Sequence, residues 1–165
     1  MKADFNPNYS NNSVNFGALK SVSGMDKLRY FAGNTGEAAH DLILFNLRAN
    51  TAFGNLCEKF DVDVVITPLL RQMPDSILLE KALNLEIVAS KLEKKGFFNK
   101  LLGIFKKRHN PVPVAKYTAV GTEAKTKIYN LARNITDNFI EPKEGLEVEI
   151  NKFLDKALKN KSIER

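Results

Sequence analysis

The feature that most constrains this chain is a short basic amphipathic segment at residues 96–108, GFFNKLLGIFKKR. With about 100° of rotation per residue, a helix here places its large apolar side chains on one arc and its polar side chains on the other. Arg108 would fall back on the apolar side, so the helix is predicted to end at Lys107. We call the large apolar side chains of this segment the apolar arc: Phe97, Phe98, Leu101, Leu102, Ile104 and Phe105.

The apolar arc needs a surface that removes it from water, because burying that many large apolar side chains is worth roughly 9–18 kcal/mol in gross terms. Three surfaces can receive it. The helix can dock on its own domain, lie in a membrane interface with its lysines toward anionic lipid, or enter a groove on a partner protein. The sequence leaves these three alternatives open.

Positive charge is confined to one region, which contains this segment. The chain carries a net charge of +6, but residues 91–133 alone carry +9 and the flanking sequences are slightly acidic. We call residues 91–133 the basic block. A localised excess predicts an anionic partner, which can be an acidic protein, a membrane surface or nucleic acid, whereas the simpler interpretation is solvated lysines. The predicted contact residues are Lys100, Lys106, Lys107, Arg108, Lys116, Lys125, Lys127 and Arg133. For nucleic acid, Tyr117 and Tyr129 would stack on bases.

The hydrophobic pattern predicts one α+β domain at residues 14–165, preceded by a mobile Asn-rich arm at residues 1–13. A short strand is expected at residues 13–22 and a short helix at residues 25–31. A long helix is predicted at residues 35–60, with Asn34 as its cap. Its expected apolar stripe runs through Ala38, Leu42, Phe45, Ala49, Ala52, Leu56 and Phe60, and it is widened by Ile43, Leu44, Leu47, Phe53 and Cys57.

Alternating β-branched residues predict a strand at residues 61–68. The segment at residues 77–92 fits either a helix or a strand at residues 83–89 that pairs back on residues 62–66. We favour the strand, so the long helix is expected to pack on a small antiparallel sheet. Two closely spaced prolines make residues 109–117 extended and suggest an internal linker.

Two further helices are predicted after the linker, and they are expected to form a C-terminal helical hairpin. The first covers residues 123–140 with Thr122 as its cap, and a turn at residues 142–145 separates it from the second. The apolar stripe of that last helix is predicted to consist of Leu146, Ile150, Phe153 or Leu154, and Ala157 or Leu158.

Few side chains are suited to catalysis. Cys57, His40 and His109 have no zinc-ligand spacing, and no phosphate-binding loop is present. Asp61 and Asp63 share a face of the predicted strand, although a solvated polar face is the simpler interpretation. No catalytic residue, metal or cofactor is therefore predicted.

The remaining features concern location and class. A lone cysteine cannot form an internal disulfide, the N-terminus lacks an apolar signal region, and no apolar run reaches the ~18 residues of a membrane helix. These features predict a cytoplasmic protein. The sequence predicts a non-enzymatic binding protein whose basic block contacts an anionic partner. The alternative is a small cytosolic enzyme or nuclease-like effector, which would need His40, His109 or the two aspartates to converge in a cleft.

Overall fold

The computed structural model describes residues 19–72, 79–91, 111–121 and 126–159. Within these ranges the protein is α+β, with five α-helices and a four-stranded mixed sheet. The elements are β1 (Leu19–Ser23), α1 (Met25–Ala32), α2 (Asn34–Ala49), α3 (Thr51–Lys59), β2 (Phe60–Gln72), β3 (Leu79–Lys91), β4 (Val112–Val120), α4 (Ile128–Asp137) and α5 (Leu146–Lys159). A 3₁₀ turn at Asn138–Ile140 follows α4. The predicted N-terminal arm lies outside the described residues, as do residues 13–18 of the predicted first strand.

The sheet has the strand order β1-β2-β3-β4. Ala89 lies opposite Val62 and Leu85 opposite Ile66, which confirms the predicted pairing and identifies the ambiguous segment as a strand. However, β1 runs parallel to β2, so the sheet is mixed and not purely antiparallel. Parallel neighbours need a crossover connection, and α1, α2 and α3 supply it.

One face of the sheet carries the core. Side chains alternate along each strand, so Val62, Val64 and Ile66 of β2 point to the same face. Leu85 of β3 and Tyr117 of β4 lie on this face too, and all five residues are buried in one cluster with helix residues. The helices of the described ranges therefore pack on this side of the sheet, where α2 lies mainly against α1 and α4.

The predicted long helix is two helices that meet at Asn50. The backbone of Asn50 is extended, and its side chain accepts a hydrogen bond of 2.9 Å from the backbone N–H of Phe53. Asparagine favours such an N-cap over a position inside a helix, which explains the break. The predicted cap at Asn34 is also wrong, because Gly33 is the N-cap of α2 and no side chain caps this helix.

The central line of the predicted stripe has the wrong phase in α2, whereas Ile43 and Leu47, which widen the predicted stripe, are buried. The buried face of α2 is formed by Ala39, Ile43 and Leu47, whereas Phe45 is 72% exposed. Because the backbone is extended at Asn50, the helical phase of the side chains in α2 does not continue into α3. A stripe drawn continuously through both helices therefore does not match the buried face of α2.

The C-terminal helices differ in part from expectation. The first begins at Ile128 and not at residue 123, because Thr126 and Lys127 are not helical. Leu146, Ile150 and Leu154 of the stripe predicted for the last helix are buried, and Phe153 is partly buried. The predicted hairpin is not confirmed, because α4 packs mainly on α2 whereas α5 packs on α3 and β4.

The fourth strand was not predicted. Residues 112–117 of the predicted linker belong to β4, which pairs antiparallel with β3. Pro113 lies opposite Val88, beside a shift in the strand register. The prolines do indicate an extended chain, and an edge strand such as β4 tolerates proline because one side of its backbone forms no sheet hydrogen bonds.

Candidate functional site

The structure describes three of the eight predicted anionic-contact residues: Lys116, Lys127 and Arg133. Lys100, Lys106, Lys107, Arg108 and Lys125 lie outside the described residues, as does the whole apolar arc. The positions of basic-block cations can therefore be described at three places: Lys116 on β4, Lys127 just before α4, and Arg133 in the middle of α4.

Lys116 is exposed on β4, between the buried residues Ala115 and Tyr117. Because strand side chains alternate, Lys116 points away from the helix-covered face. Its neighbour across the strand pair is Glu86 of β3. Lys116 therefore lies on the opposite face of the sheet, beside a residue of opposite charge.

Lys127 and Arg133 belong to α4, on the helix-covered side of the sheet. Lys127 is the exposed residue immediately before α4, and Arg133 is exposed in its middle. Ile128, Leu131 and Ile135 form the buried side of α4, so Arg133 faces solvent. The structure thus places Lys116 on one side of the sheet and Arg133 on the other, and the two do not form one compact patch.

The two candidate stacking residues have different environments. Tyr117 is buried, with its ring 5.2 Å from that of Phe139 in an edge-to-face arrangement. Burial raises the pKa of the Tyr117 hydroxyl, and the nearby Glu149 carboxylate raises it further. Tyr117 therefore cannot stack on a base. Tyr129 is 39% exposed and lies one helical turn before Arg133, so these two side chains share a face of α4.

The second face of the sheet forms a surface of its own. We call it the open face and define it by Asp61, Asp63, Val65, Thr67 and Leu69 of β2, Ala82, Asn84, Glu86, Val88 and Ser90 of β3, and Lys116, Thr118 and Val120 of β4. Asp61 and Asp63 lie at the end of the sheet where β2 begins and β3 ends, whereas Glu86 lies near the middle of β3, opposite Val65. None of its apolar side chains belongs to the core or packs against it.

The candidate catalytic groups of the described ranges do not converge. His40 of α2 is 5% exposed; its Nδ1 lies 3.4 Å from an oxygen of Asp41, and its Nε2 has no hydrogen-bond partner in the part of the chain described. Cys57 is buried in α3, where burial raises the pKa of its thiol to about 11. Asp61 and Asp63 lie on the open face, so the sheet separates them from both residues. His109 is outside the described residues.

Other kinds of site are not evident in the described residues. They contain no cluster of three or more metal-ligand side chains and no helix long and apolar enough to cross a membrane. A shallow depression of about 380 Å³ lies where α1 meets β2, lined by Asp26, Lys27, Tyr30, Phe31 and Pro68. Sequence reasoning missed it because α1 and Pro68 are brought together only by the strand pairing.

No protein-family model, curated protein or solved structure matches this chain. Function must therefore be inferred from the charges and surfaces of the protein itself.

Proposed function

We propose that this protein is a non-enzymatic binding protein that uses its basic block to contact an anionic partner. The observation that carries this proposal is the charge distribution along the chain. Residues 91–133 carry a net charge of +9, whereas the rest of the sequence is slightly acidic. A surface of one sign within a chain of the other sign attracts partners of opposite charge.

The exposed positions of the described basic residues support the proposal. Lys116, Lys127 and Arg133 all present their charged groups to solvent. A cation that a partner must reach cannot be buried, and a buried cation would need a partner within the fold. Tyr129 beside Arg133 adds an exposed aromatic ring that can pack on a flat group of the partner.

The principal contact is assigned to the four contact residues that lie within one stretch of nine residues: Lys100, Lys106, Lys107 and Arg108. Lys116 and Arg133 lie on different sides of the sheet, so they cannot both border one small anionic group. They serve instead as peripheral contacts for an extended partner. Such contacts are weakened by salt, because mobile ions screen exposed charges.

The experiment compares two variants with the same change in net charge. In the first, Lys100, Lys106, Lys107 and Arg108 are changed to Glu. The matched control changes four exposed lysines outside the basic block: Lys59, Lys143, Lys152 and Lys156. The first variant is expected to elute from heparin at a much lower salt concentration than the control. Equal elution of the two variants would show that only net charge matters and would reject the proposal.

A further inference from the structure

The open face carries an apolar strip that the described helices do not cover. Val65, Leu69, Val88 and Val120 are half-buried on this face, and Ala82 lies among them. The helices pack on the opposite face, where the core lies. A four-stranded sheet with apolar residues on both faces needs a covering layer on each.

Burial on the open face is greater than the described helices explain. Ala82 is 0% exposed, yet it does not belong to the core cluster. The neighbouring Glu80 is 8% exposed, and the side-chain oxygen of Asn84 is inaccessible to solvent. These residues all point away from the helix-covered side, because they alternate with the core residues of β3.

The connection between β3 and β4 begins and ends at one end of the sheet. β3 ends at Lys91, opposite Phe60, and Val112 of β4 lies opposite Ala89. Two neighbouring antiparallel strands need a loop of only about 2–5 residues, but this connection has roughly twenty. The apolar arc lies in the middle of it.

We propose that residues 96–107 dock on the open face as a helix, with the apolar arc against the strip that contains Val65 and Val88. This inference is independent of the proposed function, because the lysines of the helix then point away from the sheet and remain available to an anionic partner.

The dimensions agree with this arrangement. A helix over residues 96–107 is about 18 Å long, and a four-stranded sheet is about 14 Å wide between its outer strands. The residues on either side of the helix can span about 10 Å or more at full extension. The connection is therefore long enough to cross the open face and return to β4.

Charge favours this segment over other parts of the chain as the occupant. Asp61 and Asp63 lie at the end of the open face where the connection begins. Lys94 and Lys95 precede the helix, and a lysine can extend its aliphatic stem along the edge of an apolar contact while its amine reaches a carboxylate. The Asn-rich sequence at residues 1–13 has neither the charge nor a comparable apolar arc.

Limited digestion with trypsin tests the docking, because the segment contains several cleavable lysines. Leu101→Asp places a charge in the apolar arc, and the matched control Asn99→Asp places the same charge on the polar side. Cleavage within residues 92–110 is expected to become at least tenfold faster in Leu101→Asp and to stay unchanged in Asn99→Asp. Equally fast cleavage in the wild type and Leu101→Asp would overturn the proposal. So would protection of the wild type only after addition of phosphatidylserine vesicles, which would assign the apolar arc to a membrane.

A second measurement applies even if Leu101→Asp does not fold. Val88→Cys is combined with Leu101→Cys or Phe105→Cys on the apolar arc, and with Asn99→Cys or Lys106→Cys on the polar side. Mild oxidation is expected to form a disulfide with at least one arc position and with neither polar position, while the buried Cys57 stays reduced. Failure of both arc pairs would overturn docking at this strip. The proposed function is tested separately, since heparin retention is expected to be the same in Leu101→Asp and Asn99→Asp.

Discussion

Gly36 of α2 packs directly against the backbone carbonyl of Leu28 in α1. A Cβ atom at position 36 would overlap the carbonyl oxygen and carbon of Leu28, which are rigid backbone atoms. The two helices therefore cross at a distance that only glycine permits. Their contact fixes α1 over β2 and helps to form the crossover between the parallel strands.

Gly36→Ala is expected to destabilise the protein despite the higher helix propensity of alanine. The added methyl group forces α1 and α2 apart, at a cost of about 1–3 kcal/mol in the free energy of unfolding. Gly54→Ala is the matched control, because Gly54 is also helical and its Cβ would meet no other atom. That variant should gain up to about 1 kcal/mol. Urea denaturation measures both values, and a stable Gly36→Ala variant would contradict the close helix crossing.

The break between α2 and α3 depends on the side chain of Asn50. Asn50→Ala removes the hydrogen bond to the Phe53 N–H and is expected to lower the free energy of unfolding by about 1 kcal/mol. Asn34→Ala is the control, because Asn34 does not cap α2. Its stability should change by only a few tenths of a kcal/mol, within the usual range for surface positions. A larger loss of stability in Asn34→Ala than in Asn50→Ala, measured by urea denaturation, would contradict the break at Asn50 and favour one continuous helix.

The phase of α2 can be tested with two residues that lie close in sequence. Ile43 is fully buried and Phe45 is largely exposed. Ile43→Ala is expected to cost about 2–5 kcal/mol through lost burial and a cavity, whereas Phe45→Ala should change stability by less than about 1 kcal/mol. Thermal denaturation compares the two variants. A larger loss at Phe45 would support the stripe drawn from the sequence.

The buried thiol of Cys57 makes stability depend on pH. In the unfolded chain the thiol ionises with a pKa of about 9.0, whereas burial raises the pKa in the folded protein to about 11. The raised pKa of the thiol therefore contributes its full stabilisation to the folded protein below pH 9. This stabilisation is lost as the pH rises from 9 to 11. Between pH 8 and pH 10.5 the loss should be about 2 kcal/mol. Cys57→Val lacks the thiol, so its free energy of unfolding should fall by about 2 kcal/mol less than that of the wild type over the same pH interval. Equal falls in the two proteins would contradict the raised pKa.

Local patterns in the sequence predicted those elements whose side chains alternate or recur without interruption. The β-branched residues around Val64 identify β2, and the stripe through Ile150 identifies α5, because each pattern arises within one element. The register of Leu85 opposite Ile66 follows from the same pattern, since a slip of one residue would turn the apolar side chains of β3 away from the core.

The remaining features depend on contacts that a local pattern does not contain. The parallel pairing of β1 with β2 requires the three-helix crossover. The chain around Pro113 can be identified as β4 only when its pairing with β3 is known. The separation of Lys116 from Arg133 has the same cause. Both belong to the basic block in sequence, but a strand and a helix carry them to opposite sides of the sheet.

The salt dependence of heparin binding tests whether a particular set of cations binds an anionic partner. The affinity of each protein for heparin is measured at several salt concentrations, because the slope of log affinity against log salt reports how many ionic contacts form. Changing Lys100, Lys106, Lys107 and Arg108 to Glu is expected to reduce this slope markedly. The same change at Lys59, Lys143, Lys152 and Lys156 should leave the slope close to that of the wild type. Equal slopes for the two variants would contradict the assignment of the basic block as the binding surface.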